Sequence, residues 1–186
     1  MLFEVRWHGR GGQGVVTASD LLARAAIIEG KYAQHFPEFG PERMGAPIRA
    51  FTRISDKPIE LHTGVYEPEM VVVIDPTLLI KTEMILQGMR EDRPLVVNAK
   101  TPPQTLVDRC KEKNIKLYVV DAYTIAIEVL KRPFYNTPML GAAVKVSGLV
   151  KLDSVLKAAE LRFSGDILKK NIEVIKKGFN EVKEYA

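Results

Sequence analysis

Cysteine is nearly absent from this sequence: Cys110 stands alone among 186 residues. An intrachain disulfide is thereby excluded. So is the set of four thiolates that holds an iron–sulfur cluster, and any redox centre this protein serves must sit on another chain. The neighbouring Asp108, Arg109 and Lys111 could lower a thiol pKa, but a lone cysteine in a helical pattern is read first as a packing residue. Histidine is equally scarce. His8, His35 and His62 are scattered without metal-ligand spacing, so no metal site is read from them. No Ser-His-Asp or Cys-His arrangement can be argued from spacing either. Long apolar runs are also missing: the longest, 70–74 and 21–28 with an arginine inside, fall far short of the ~20 residues of a membrane-spanning helix. The chain opens directly on a strand-like segment containing Glu4 and Arg6. Neither a signal nor a transit peptide is read there, and the cytoplasm is the expected compartment. A strong charge excess is lacking as well. The formal charge is +4 with 27% charged residues of both signs interspersed, which disfavours nucleic acid as a partner.

What is present is enough apolar material, 46% of the chain, for a compact core. No repeat, low-complexity tract or linker divides it, so residues 1–186 are expected to form one domain. Residues 2–8 alternate apolar and polar and run into the glycine cluster Gly9-Arg10-Gly11-Gly12-Gln13-Gly14, a strand followed by a tight turn. From 15 to 29 the apolar residues recur at helical spacing, and Gly30 supplies a stop. Residues 31–36 read as a second strand, followed by a loop over 37–47 with three prolines and two glycines; so long a loop is usually functional. Residues 48–55 alternate, and a turn at 56–58 leads to a short strand at 59–62, predicting a hairpin. The apolar runs 70–75, 94–99 and 116–121 read as strands covered on both faces, separated by helices at 78–89 and 105–113. From 122 onward the pattern is helical. Thr137 is the expected N-cap and Pro138 the first residue of a helix through 150; Asp153 or Ser154 caps the next, and the last spans 166–185. The stripe Leu168, Ile172, Ile175, Phe179 and Val182 reads as core packing, with a seam for a partner helix as the alternative. The expected fold is α/β: a mainly parallel, Rossmann-like sheet flanked by helices, an inserted antiparallel hairpin and a helical C-terminal part.

The glycine turn lies between strand and helix, where backbone amides can approach a phosphate at a helix N-terminus. Glycines at such a turn also serve plain close packing. A dinucleotide site expects an acidic residue at the end of the second strand, whereas here that strand ends at Gln34-His35-Phe36 and the first acid is Glu38, past a proline. No Gly-Lys-Ser/Thr follows the glycines, which excludes a P-loop. His8 and Arg10 flank the turn within reach of a phosphate or carboxylate, and Gln13 offers a neutral amide; a strand-closing His8 and a solvated Arg10 are the alternative.

Three strings together resemble a known family. The turn Gly9-Arg-Gly-Gly-Gln-Gly14, the loop core Phe39-Gly-Pro-Glu-Arg-Met-Gly-Ala-Pro47 and the later Asn136-Thr-Pro-Met-Leu-Gly-Ala142 look like the gamma subunit of pyruvate and related 2-oxoacid:ferredoxin oxidoreductases, nearly end to end. The resemblance implies a division of labour. Alpha, beta and delta chains would carry thiamine diphosphate, Mg2+ and the iron–sulfur clusters, none held by this chain alone, and the complex would convert a 2-oxoacid and coenzyme A to acyl-CoA and CO2 while reducing ferredoxin. It further implies that Gly9, Arg10, Gly11, Gly12, Gln13 and Gly14 face coenzyme A, with Arg10 as a phosphate partner. Phe39, Glu42, Arg43 and Met44 would form a subunit interface through ion pairs and apolar contact. The string Arg43-Met-Gly-Ala46 associates the chain with the pyruvate-type members; 2-oxoisovalerate, 2-oxoglutarate and indolepyruvate are the other substrates of the family. Outside it, a stand-alone nucleotide-dependent oxidoreductase or a pure interaction module is the alternative.

Overall fold

The computed structural model describes residues 1–38 and 44–185. Phe39, Glu42 and Arg43 therefore lie outside the described residues. The elements follow in the order β1 (Leu2–Arg10), α1 (Val15–Ile28), β2 (Tyr32–Glu38), β3 (Pro47–Ser55), β4 (Met70–Val73), a 3-10 turn (Pro76–Ile80), α2 (Thr82–Leu86), β5 (Pro94–Asn98), α3 (Gln104–Glu112), β6 (Lys116–Val120), α4 (Ala122–Leu130), α5 (Asn136–Ser147), α6 (Leu152–Arg162), α7 (Gly165–Glu181) and β7 (Lys183–Glu184). One sheet of seven strands runs β2-β3-β1-β4-β5-β6-β7. Its core, β1-β4-β5-β6, is parallel; β2 and β3 extend it antiparallel on one side and β7 on the other. The α/β class with a parallel core, an antiparallel hairpin and a helical C-terminal part is thus observed.

The hairpin has different strands from those the alternation predicts. Residues 48–55 pair with β2 and β1, and residues 59–62 form no strand. A side chain replaces the ladder there. The buried Arg53 bonds Glu4 Oε1 at 2.6 Å and reaches the carbonyls of Leu61, Thr63 and Gly64, so this segment folds over the sheet face instead of pairing at its edge. The helix expected over 78–89 is divided into the 3-10 turn and α2 by Lys81, whose ψ of 52° is not helical. α5 begins one residue before Thr137, which is buried and donates its hydroxyl to Asn171 Oδ1 at 2.8 Å instead of capping. α6 starts at Leu152 with no side-chain cap. The last helix stops at Glu181, and 183–184 return to the sheet beside β6, where the Tyr185 amide donates to the Leu117 carbonyl at 2.7 Å.

Both sheet faces are covered. Val5, Trp7, Met70, Val72 and Val96 pack beneath α1, α5, α6 and α7, while Val71, Val73, Leu95, Val97, Leu117 and Val119 pack beneath α2 and α3. Cys110 belongs to that second core, and burial pushes its thiol up to about 11. This is the packing role read from the sequence. On the first face α5 and α7 touch backbone to backbone: a Cβ on Gly141 would stand 2.0 Å from the Ile175 carbonyl, and one on Gly178 1.9 Å from that of Pro138. Glycine at both positions permits the approach. Among the described residues no helix is long and apolar enough to cross a membrane.

His8 points to the opposite face from Trp7 and is buried, its Nε2 accepting from Arg6 Nε at 2.9 Å. Burial, aided by the positive charges of Arg6 and then Arg49, pushes the imidazole from its ordinary 6.5 down to about 3. The unfolded chain therefore binds a proton between those values that the native chain refuses, so stability must fall as pH drops through this window. Denaturant titrations from pH 7 to pH 4 should show His8 contributing up to about 1.4 kcal/mol of loss per pH unit below its unfolded pKa. His8→Gln, which keeps an acceptor but does not titrate, should flatten the profile by that amount; a slope identical to the native chain's contradicts the assignment.

Candidate functional site

The glycine turn is shaped by three different close contacts. A Cβ on Gly9 would lie 2.4 Å from Val15 Cγ2, and one on Gly14 2.4 Å from the Asn136 side-chain nitrogen, while Gly12 and Gly14 have φ of +87° and +72°. The Gly11 amide donates to the Ala46 carbonyl at 3.0 Å, tying the turn to the end of the long loop. Gly14 occupies the N-cap of α1 and brings no side chain to cap that terminus. The first amides of α1 thus keep their positive potential for something outside the helix.

The turn sits at a topological switch point. β1 and β4 are parallel neighbours, yet the helix after β1 covers one sheet face and the segment after β4 covers the other, which opens a crevice at their carboxyl ends. Asp75 closes the base of this crevice with its side chain almost wholly buried. Its Oδ2 accepts from Gln13 Nε2 at 2.5 Å and stands 3.4 Å from Arg10 Nε. Its Oδ1 accepts the amide and the hydroxyl of Thr77, at 2.7 and 2.6 Å. Gln13 Oε1 in turn accepts the Arg10 amide at 2.8 Å. Arg10 completes the ring by donating to Thr77 Oγ1 and, at 3.1 Å, to the Gly45 carbonyl. Tyr135 stands nearby: burial, then Tyr123, then Asp75 push its phenol up. Asn98 joins neighbouring pieces, donating to the Ile74 carbonyl at 3.0 Å and accepting the Tyr123 amide at 3.3 Å.

On the other side of the turn lies a cavity of about 490 Å3, walled by Gly12, Gln13, Gly14 and Thr17 on one side and by residues of α4–α7 on the other. Arg132, Arg162 and Lys170 line it, with Asp166 the acidic member, 3.0 Å from Lys170. The structure thus brings Gly12, Gln13 and Gly14 to the cavity wall. Gly9 and Gly11 serve packing and the link to Ala46, and Arg10 faces Asp75 on the crevice side. His8 lies away from the cavity, His35 pairs with Asp20 at 3.2 Å, and Met44 is 90% exposed at the end of its loop. Asp75, Thr77 and the three cations escape the sequence reading, which holds Asn136 only as the start of the string Asn136–Ala142. Asp75-Pro76-Thr77 after an apolar run is the one local signal among them, an Asx turn at a strand end. Amides at a helix start, three cationic side chains and a half-enclosed volume suit an anion such as a phosphate. Among the described residues, no group of three His, Cys, Asp or Glu is placed to hold a metal ion.

Asp75→Ala should leave Gln13, Arg10 and Thr77 without their shared acceptor and lower the unfolding free energy by about 1–3 kcal/mol. Urea denaturation of the isolated chain measures this, and a loss below ~0.5 kcal/mol, the level of an ordinary surface substitution, contradicts it.

Comparison with known proteins agrees with this architecture. The family model for pyruvate ferredoxin/flavodoxin oxidoreductase matches residues 4–181. The chain is 48% identical over 184 residues to the pyruvate/ketoisovalerate oxidoreductases common subunit gamma of Thermococcus litoralis, covering 99% of each. Its structure resembles that of the pyruvate oxidoreductase subunit PORC of Thermotoga maritima with a TM-score of 0.87 at 43% identity, covering 100% of this chain and 99% of that one. A 2-oxoglutarate:ferredoxin oxidoreductase of Magnetococcus marinus, solved with 2-oxoglutarate, coenzyme A and succinyl-CoA, shares the fold alone: the TM-score is 0.73 at 15% identity, over 95% of this chain and 30% of that one. With a matching family model across nearly its whole length and gamma-type relatives along all of it, this chain belongs to the pyruvate ferredoxin/flavodoxin oxidoreductase family.

Proposed function

We propose that the chain is the gamma subunit of a complex that oxidatively decarboxylates pyruvate with coenzyme A to acetyl-CoA and CO2, passing two electrons to ferredoxin. Its part is to present the phosphates of coenzyme A to the reacting centre. The observation that carries this is the cavity at the uncapped start of α1, where Arg132, Arg162 and Lys170 converge on Gly12, Gln13 and Gly14. A long, polyanionic ligand finds there both helix amides and fixed cations. Arg10, paired with Asp75 and Thr77, holds the turn Gly9–Gly14 in shape and adds positive charge at its rim.

One buried cysteine cannot ligate a cluster, so the iron–sulfur centres belong to other chains, as do thiamine diphosphate and Mg2+. Pyruvate is the substrate favoured by the string Arg43-Met-Gly-Ala46; the Thermococcus relative's name covers both pyruvate and ketoisovalerate. The loop carrying Phe39, Glu42, Arg43 and Met44 is the proposed contact with the other subunits, and the exposure of Met44 supports it.

Two measurements on the assembled complex test this reading. Arg132→Ala or Arg162→Ala should raise the KM for coenzyme A by about tenfold, the loss of one charge-assisted hydrogen bond of ~1.5–3 kcal/mol, with little change in the KM for the 2-oxoacid. Unchanged coenzyme A dependence beside impaired oxoacid binding would refute the placement. Arg43→Glu should cut the yield of co-purified complex while the isolated chain keeps its circular dichroism and Tm, because reversing one charge of an interfacial pair costs about 2–5 kcal/mol. Wild-type yield contradicts the interface.

A further inference from the structure

A second cavity, of about 650 Å3, lies on the sheet face opposite α1 and is lined by residues other than those of the glycine turn. It is walled by the chain around Gly64–Glu67, by the turn at Gln87–Gly88 after α2, and by Phe36, Glu38, Arg49 and Phe51 of β2 and β3. Its frame is fixed: Gly88, at φ +74°, lets the Tyr66 carbonyl approach to where a Cβ would stand 1.9 Å away.

The floor carries an unusual charge. Arg6 is 2% exposed, and its guanidinium is oriented by three neutral acceptors: His8 Nε2 at 2.9 Å, the Ile85 carbonyl at 2.8 Å and the Gln87 carbonyl at 2.7 Å. His8 is uncharged, so it offers no counter-charge. Glu4, on the same strand, is bonded to Arg53 at 2.6 Å, Glu38 to Arg49 at 2.6 Å, and Glu67, also on the cavity wall, to Arg90. Among the described residues no carboxylate bonds Arg6. These three bonds use Nε and Nη2. Nη1 has no partner among the described residues, and it is not sealed in protein but borders the cavity. A buried charge with no directly bonded counter-ion is costly: burial and then Arg49 lower the Arg6 pKa to about 10, opposed in part by the charge of Glu38. A rigid cation so placed is a donor site for an oxyanion. Arg49, about one-third exposed at the rim, adds a second positive group.

We propose that this groove receives an acidic side chain of a partner protein chain, its carboxylate bonding Arg6 Nη1 and Arg49 while its apolar neighbours cover Phe36 and Tyr66. Charge complementarity names the occupant's chemistry, and the groove's form favours a tethered carboxylate over a free one. One open guanidinium nitrogen holds a free anion weakly, whereas a protein segment adds contact with the half-buried Phe36 and with Tyr66, which is 75% exposed at the rim; exposed aromatic and arginine pairs of this kind dominate protein interfaces. The inference rests on the reading of this chain as a subunit.

The test is a titration of the full-length chain against its partner subunits, read by biolayer interferometry at several salt concentrations. Arg49→Gln and Tyr66→Ala, both at the rim, should each raise the Kd about tenfold or more. Arg6→Lys, which keeps charge but loses the planar fork, should do the same. If Arg6→Lys does not fold, the two rim variants decide alone. Wild-type Kd for both rim variants overturns the proposal and leaves the subunit reading intact. Sodium acetate or inorganic phosphate raising the Tm of the isolated chain at constant ionic strength, with that shift lost in Arg49→Gln and assembly unaffected, also overturns it, in favour of a free small anion. A wild-type chain that assembles with no partner overturns the subunit reading and the docking site together.

Discussion

The carboxylate of Asp75 accepts from Gln13 and from both donors of Thr77 and stands beside Arg10, joining the turn after β1 to the turn after β4. The shape of the glycine turn depends on it. Without that anchor the Gln13 side chain would have no fixed position from which to accept the Arg10 amide, and Gly12 and Gly14 would present their amides in no defined direction. The switch point between β1 and β4 opens the crevice, and Asp75 makes one side of it rigid, leaving the other side, beneath Thr17 and Asn136, as the cavity wall. A buried carboxylate with this many donors is held in one orientation.

The far wall depends on a second constraint, the glycine contact between α5 and α7. Gly141 and Gly178 let the two helices meet at backbone distance, and this draws α7, with Lys170 and Asn171, toward the start of α1. The buried bond from Thr137 to Asn171 fixes the same approach at its other end. Three cations distant in sequence thereby share one cavity. Among the described lining residues Asp166, paired with Lys170, is the one acid beside them, so the cavity favours an anionic occupant.

Much of the fold is legible in the sequence because its signals are local. The runs of β4, β5 and β6 are mainly apolar since helices cover both faces, and Gly30 marks the end of α1 where φ reaches +78°. Pairing partners are another matter. Residues 59–62 alternate as a strand would, but the choice between ladder and loop was made by Arg53, a residue of another segment. β7 is two charged residues at the sheet edge with no period to read. Along β1, Glu4, Arg6 and His8 look like a solvated face; the fold instead buries Arg6 and His8 beneath the end of α2. For the site, GRGGQG was visible and the cavity was not. Arg132, Arg162 and Lys170 sit in unrelated segments and meet only after packing, and Asp75 carries its function through geometry that no spacing encodes.

Under the proposed function, the start of α1, beside the glycine turn, is where this chain meets coenzyme A within its complex. Hydrogen–deuterium exchange on the assembled enzyme, with and without saturating coenzyme A, reads this directly at the amides of residues 12–17. Protection rising there on addition of coenzyme A, and unchanged by the 2-oxoacid alone, is the predicted result. Unaltered exchange at those amides while coenzyme A still supports full turnover would contradict the account.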